Sequence, residues 1–121
     1  MNTLPAVKLY GIKNCDTMKK AMQWLTAHAI EFQFIDYKKS GLVAEQLPQW
    51  MAKTEWETLL NRRGLMWKKL SAAERENVDT AKAAILMTTY PVLVKRPVLE
   101  TADALLVGFD AATYSDYFTQ D

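Results

Sequence analysis

The sequence carries one cysteine and one histidine, and each scarcity removes a class of chemistry. A lone Cys15 excludes an internal disulfide framework and fits a reducing compartment. One cysteine with one histidine cannot supply the ligand shell of a structural zinc site. The acidic residues show no calcium-loop spacing, so no metal is expected. The four glycines are scattered and build no phosphate-cradling loop. Neither charge is in excess: 15 Lys and Arg face 14 Asp and Glu. A formal net charge of +1 gives no bulk attraction to nucleic acid or an anionic membrane. No apolar run approaches the roughly 20 residues of a membrane helix. The segment Met1–Lys8 lacks the basic region and apolar stretch of a signal peptide, and the expectation is a cytoplasmic protein.

Half of the 121 residues are apolar and a quarter are charged, an ordinary balance for a globular chain with its own core. One domain over residues 1–121 is expected. Its organising stretch is Tyr10-Gly11-Ile12-Lys13-Asn14-Cys15-Asp16-Thr17-Met18. A short apolar strand from Val7 to Tyr10 meets Gly11, turns, and opens a helix. Met18, Ala21, Met22, Leu25 and Ala29 recur in that helix at three- and four-residue spacing. Asn14 or Asp16 is suited to cap it, and Cys15 falls in its first turn. Unpaired N–H groups and the positive end of the helix dipole favour a thiolate there, and Lys13 adds charge. The same spacing puts Cys15 on the apolar edge of the helix. Periodicity therefore leaves both a core residue and a nucleophile open.

Glu31–Tyr37 alternates well enough for a second strand. The stretch Leu42–Lys53 suits a helix, but Pro48 fits best in a first turn, which places the start near Glu45 or else a kink. Thr54-Glu55-Trp56-Glu57 and Ser71-Ala72-Ala73-Glu74 have the capping-box pattern, and Asp79 is placed to cap a helix through Leu86. Pro91–Glu100 reads as two extended pieces broken at Pro97. Ala104–Val107 is a further strand, and Asp110 caps a last helix through Phe118. The order β-α-β, then helices over about 42–89, then β-β-α, is α/β. It is the arrangement of a thioredoxin-like fold with a helical insertion between the second and third strands.

Local alternatives for the chemistry fail on spacing. His28 lies too far along the same helix, roughly 20 Å from Cys15, to serve as its base. Met18 stands where a Cys-x-x-Cys site needs its second thiol, and Ala21 where a Cys-x5-Arg phosphatase loop needs its arginine. The four tryptophans sit at helical positions and read as core. A single activated thiol remains, with Arg62, Arg63 and Arg96 at loops or strand ends where guanidinium groups could meet an anion.

The block Tyr10–Thr17, Leu59-Leu-Asn-Arg-Arg-Gly64 with Trp67-Lys-Lys-Leu70, Pro91-Val-Leu-Val-Lys-Arg-Pro-Val98 and Val107-Gly-Phe-Asp110 resembles the arsenate reductase (ArsC) family. Within that family it is most similar to the Spx/YffB-like branch. The resemblance spans nearly the whole chain. It implies a thioredoxin-like fold, Cys15 as nucleophile, and a cis peptide at Arg96-Pro97 beside it. Lys13, Asn14, Arg62, Arg63, Arg96 and Pro97 are the implied binding residues for substrate or glutathione. Asn61 occupies the place of the second arginine of true arsenate reductases, with Arg62 and Arg63 beside it. The third arginine has no counterpart between Thr101 and Gly108. The resemblance therefore points to a glutathione-dependent thiol reductase rather than to arsenate, with glutathione a co-substrate and no bound cofactor. The alternative it implies is a redox-silent regulator docking on RNA polymerase.

Overall fold

The computed structural model describes residues 6–39 and 41–119. In chain order the elements are β1 (Val7–Gly11), α1 (Asp16–Ala27), β2 (Phe32–Asp36), α2 (Leu42–Lys53), α3 (Trp56–Leu59) and α4 (Leu65–Lys69). There follow α5 (Ala72–Arg75), α6 (Thr80–Thr89), a 3-10 turn at Pro91–Leu93, β3 (Val98–Glu100), β4 (Leu105–Val107) and α7 (Ala111–Phe118). Two compact units result, Met1–Asp36 with Arg96–Asp121, and Tyr37–Lys95.

The first unit holds a four-stranded sheet in the order β2-β1-β3-β4. β1 runs parallel to β2, with Leu9 opposite Phe34, and antiparallel to β3, with Leu9 opposite Leu99. β3 pairs antiparallel with β4, Leu99 opposite Leu106. This is a thioredoxin-like sheet, and α2 to α6 form the insertion between β2 and β3. Because strand side chains alternate, Leu9 and Leu99 share one face. They pack with Met18, Ala21 and Leu25 of α1 and Tyr114 of α7 into one fully buried cluster. On the other parity, the buried Tyr10 hydroxyl donates to Glu100 Oε1 at 3.1 Å, which satisfies the buried carboxylate.

Helix α1 ends in a Schellman motif. Ile30 N–H donates to the Leu25 carbonyl at 2.9 Å and Ala29 N–H to that of Thr26 at 3.1 Å. The left-handed position is Ala29, at φ 58, where a Cβ is unfavourable and glycine is not. Ala29→Gly is expected to stabilise the protein by about 0.5–1 kcal/mol, read as a higher midpoint in urea at unchanged slope. A lower midpoint would mean that the turn is held by something other than this backbone conformation.

In the second unit, α2 buries Val43, Leu47 and Trp50, and α6 buries Ala83, Leu86 and Met87. α6 packs against α2, α3 and the 3-10 turn. The buried Tyr37 hydroxyl donates to the Val94 carbonyl at 2.6 Å. The Ser71 capping box is complete, with Glu74 N–H donating to Ser71 Oγ and Ser71 N–H to Glu74 Oε1. Asp79 Oδ1 accepts from Lys82 N–H, and Asp110 Oδ1 from Ala112 N–H, as their positions predict.

Three expectations are corrected. α2 begins at Leu42, so Pro48 lies inside it rather than in its first turn. Pro48 and Ala44 are both exposed, so the carbonyl freed by proline faces water while Val43, Leu47 and Trp50 anchor the helix. The box at Thr54 does not form: Thr54 ends α2 in an extended conformation, and Glu55 takes the N-cap of α3 without a side-chain bond. Pro91–Leu93 is a 3-10 turn rather than a strand, and only Val94 bridges, to Leu60. Among the described residues no helix is long and apolar enough to cross a membrane.

Candidate functional site

β1 delivers the chain to Gly11, and Ile12 and Lys13 carry it into the turn. Asn14 adopts a left-handed backbone at φ 60, which asparagine tolerates better than most residues. That turn sets Cys15 in an extended conformation at φ −122 and ψ 127, and α1 starts at the next residue. The cap position therefore belongs to Cys15. Asn14 precedes it, and Asp16 is the first helical residue, so neither fills the capping role expected of it.

No side-chain oxygen closes this helix end. The N–H groups of Met18 and Thr17, the donors that a capping oxygen would normally engage, face the Cys15 sulfur. The Arg96 guanidinium also acts on it and favours the thiolate. Partial burial pushes the thiol up; the Met18 N–H, the Arg96 hydrogen bond and charge, and the Thr17 N–H together outweigh burial and hold it below its ordinary value. Cys15 is half-buried and packs on the edge of the core cluster. The two readings left open by its spacing are thus both physical: a core-edge residue whose sulfur faces donors.

Arg96 reaches the sulfur from just before β3, and the Arg96-Pro97 peptide is cis. The Pro97 carbonyl accepts from Gly108 N–H at 2.8 Å, tying this turn to the end of β4. Lys13 is exposed, and the cation that acts on the sulfur is Arg96. His28 is exposed at the end of α1, stacked on Trp24 with ring centroids 3.8 Å apart.

Arg62 and Arg63 belong to the helical unit. They line a cleft of about 370 Å³ together with Glu57, Leu60, Asn61 and Lys95. Asn61 Oδ1 accepts from Arg63 N–H at 3.0 Å, and the Arg62 guanidinium lies 5.4 Å from the centroid of the Trp56 ring. Trp50 is the core residue that its spacing predicts, whereas half-buried Trp56 is a platform for a guanidinium. Sequence reasoning passed over Glu57 and Lys95. Lys95 had a usable signal, since it directly precedes Arg96 in the chain. Among the described residues no group of three or more His, Cys, Asp or Glu side chains is placed to hold a metal.

A sequence profile of the ArsC family matches residues 10–117. The chain belongs to the ArsC family. An ArsC-related protein from Brucella melitensis is 50% identical in its solved structure, with a TM-score of 0.75 over 99% of both chains. A structure named YFFB protein is 46% identical with a TM-score of 0.85, over 91% of this chain and 96% of that one. The global transcriptional regulator Spx 1 of Lactococcus lactis is 26% identical over 106 residues, covering 86% of this chain and 82% of its own. The ArsC match takes in both the Cys15 turn and the segment that carries Arg96.

Proposed function

We propose that this ArsC-family protein is a glutathione-dependent thiol–disulfide reductase with Cys15 as its nucleophile. The observation that carries the reading is the setting of Cys15: its sulfur faces two helix N–H groups and the Arg96 guanidinium, which favour the thiolate. A thiolate attacks a mixed disulfide R–S–S–G at the glutathione sulfur, forming Cys15–S–S–G and releasing RS⁻. There is no second cysteine to resolve the adduct. The thiolate of a second glutathione attacks it, giving oxidised glutathione and restoring the Cys15 thiolate. Over the cycle R–S–S–G and one glutathione thiolate become RS⁻ and oxidised glutathione, and Cys15 ends as it began.

In this reading Arg96 orients the incoming anion beside the sulfur, and Pro97, Asn14 and Lys13 form the nearby backbone and side-chain surface. The expected result is a glutathione adduct on Cys15 after exposure to oxidised glutathione, seen by intact-mass spectrometry and removed by reduced glutathione. Turnover of a small disulfide with glutathione should accompany it. A protein that stays unmodified and inactive under both conditions overturns the reading.

The Spx relative favours a second reading, a regulator that docks on RNA polymerase through the helical insertion. Met18 stands where a Cys-x-x-Cys pair needs its second thiol, so docking here would be redox-silent. Stable binding to purified RNA polymerase without any glutathione turnover would decide for it.

A further inference from the structure

The cleft of the helical unit holds more than carboxylate-binding cations. Three of its charged groups, Arg62, Arg63 and Lys95, are positive, and one, Glu57, is negative. Among the described residues no hydrogen bond or ion pair engages the side chains of Glu57, Arg63 or Lys95, so opposite charges lining one cleft stand apart without neutralising one another. The backbone beneath them is fixed. Asn61 N–H donates to the Leu93 carbonyl at 2.7 Å, and Lys95 N–H to that of Leu59 at 2.8 Å. Leu60 lines the cleft with a side chain that is itself fully buried.

A site for a simple oxyanion gains nothing from Glu57, since a carboxylate beside the bound anion repels it. A ligand carrying both signs a few bonds apart uses every group. We infer that this cleft takes an α-amino-acid zwitterion, with its ammonium at Glu57 and its carboxylate at Arg63 and Lys95, Arg62 contributing from its perch on Trp56. The inference rests on the glutathione reading and deepens it, because the γ-glutamyl end of glutathione is such a zwitterion. Glu57 is then a specificity residue, selecting ligands that keep their α-amino group. The volume suits a ligand end of this kind with part of its chain.

The test removes the thiol chemistry first. In Cys15→Ser protein, amide NMR titrations compare S-methylglutathione with its analogue in which hydrogen replaces the α-ammonium. S-methylglutathione is expected to shift the amides of Asn61, Arg62, Arg63 and Lys95 and to bind about tenfold more tightly than the analogue, as for one charge-assisted hydrogen bond. Glu57→Gln in that background should bring the ratio close to one, while Lys95→Gln weakens both ligands. Equal binding of the two ligands before Glu57 is changed, or a ratio that Glu57→Gln leaves intact, overturns the inference. Glutathione turnover by the wild type is read separately. Turnover with no discrimination sinks the zwitterion site alone, and discrimination with no adduct on Cys15 sinks the reductase and keeps the site.

Discussion

Cys15→Ser should reduce glutathione-dependent disulfide reduction to the uncatalysed background, and Arg96→Ala should lower it about 10- to 100-fold. The first follows because no other thiol exists to form the mixed disulfide. The second follows because Arg96 supplies both a hydrogen bond and a charge to the sulfur. A hydrogen bond to a charged group contributes about 1.5–3 kcal/mol, and each 1.4 kcal/mol is a factor of ten. Arg96→Lys keeps the charge without the planar fork and should fall between. The measurement is the initial rate against a small disulfide, with circular dichroism confirming the fold of each variant. Arg96→Ala with wild-type kinetics would show that the helix N–H groups suffice.

The same arrangement fixes the pH behaviour. Alkylation of Cys15 tracks the thiolate, so its rate should rise with pH and level off, with a midpoint below the roughly 8.5 of a free cysteine. Arg96→Ala should move that midpoint up. Stability is linked with a definite sign. A folded-state pKa held below the unfolded one contributes stability above the unfolded value, and the contribution is lost as pH falls through the folded value. Wild type should therefore gain on Cys15→Ser as pH rises from below the alkylation midpoint to about 9, measured by urea midpoints. Parallel curves over that window would mean that the thiol titrates alike in both states.

Local signals carried much of the architecture. The three- and four-residue spacing from Met18 to Leu25, the Ser71–Glu74 pair, and the acids Asp79 and Asp110 act within one or two helical turns, so their neighbours in sequence are their neighbours in space. The misses share a cause. Val92 and Leu93 have strand propensity, yet Pro91 opens a 3-10 turn that α6 covers. Pro48 disfavours a helix interior, yet the buried face of Val43, Leu47 and Trp50 overrides it. The approach of Arg96 to Cys15 links opposite ends of the chain, and no spacing rule encodes it. It became legible only through the family resemblance. The charge balance of the cleft was hidden for the same reason, since Glu57 and Lys95 come to line one cleft only after α4, α5 and α6 have been laid down between them.

Gly11→Val should destabilise the protein by about 3 kcal/mol, the upper part of the range for overpacking a filled core. A Cβ at Gly11 would lie 2.2 Å from Met18 Sδ and 2.5 Å from its Cε, far inside contact distance. A thioether end often swings aside, but Met18 is fully buried among Leu9, Ala21, Leu25 and Leu99, and interiors packed to crystal density leave little room for it to move. The strand–helix contact must therefore shift. Met18 N–H also faces the Cys15 sulfur and favours its thiolate, so a displaced first turn should raise the alkylation midpoint together with the loss of stability. A double-mutant cycle isolates the cause. Met18→Ala alone should cost about 2–5 kcal/mol by leaving a cavity, and adding Gly11→Val to it should cost much less than in the wild type, because the new side chain enters that cavity. Additive losses, or a Gly11→Val protein as stable as wild type with an unchanged thiol midpoint, would show that the packing of Met18 beneath β1 does not set the height of the nucleophile.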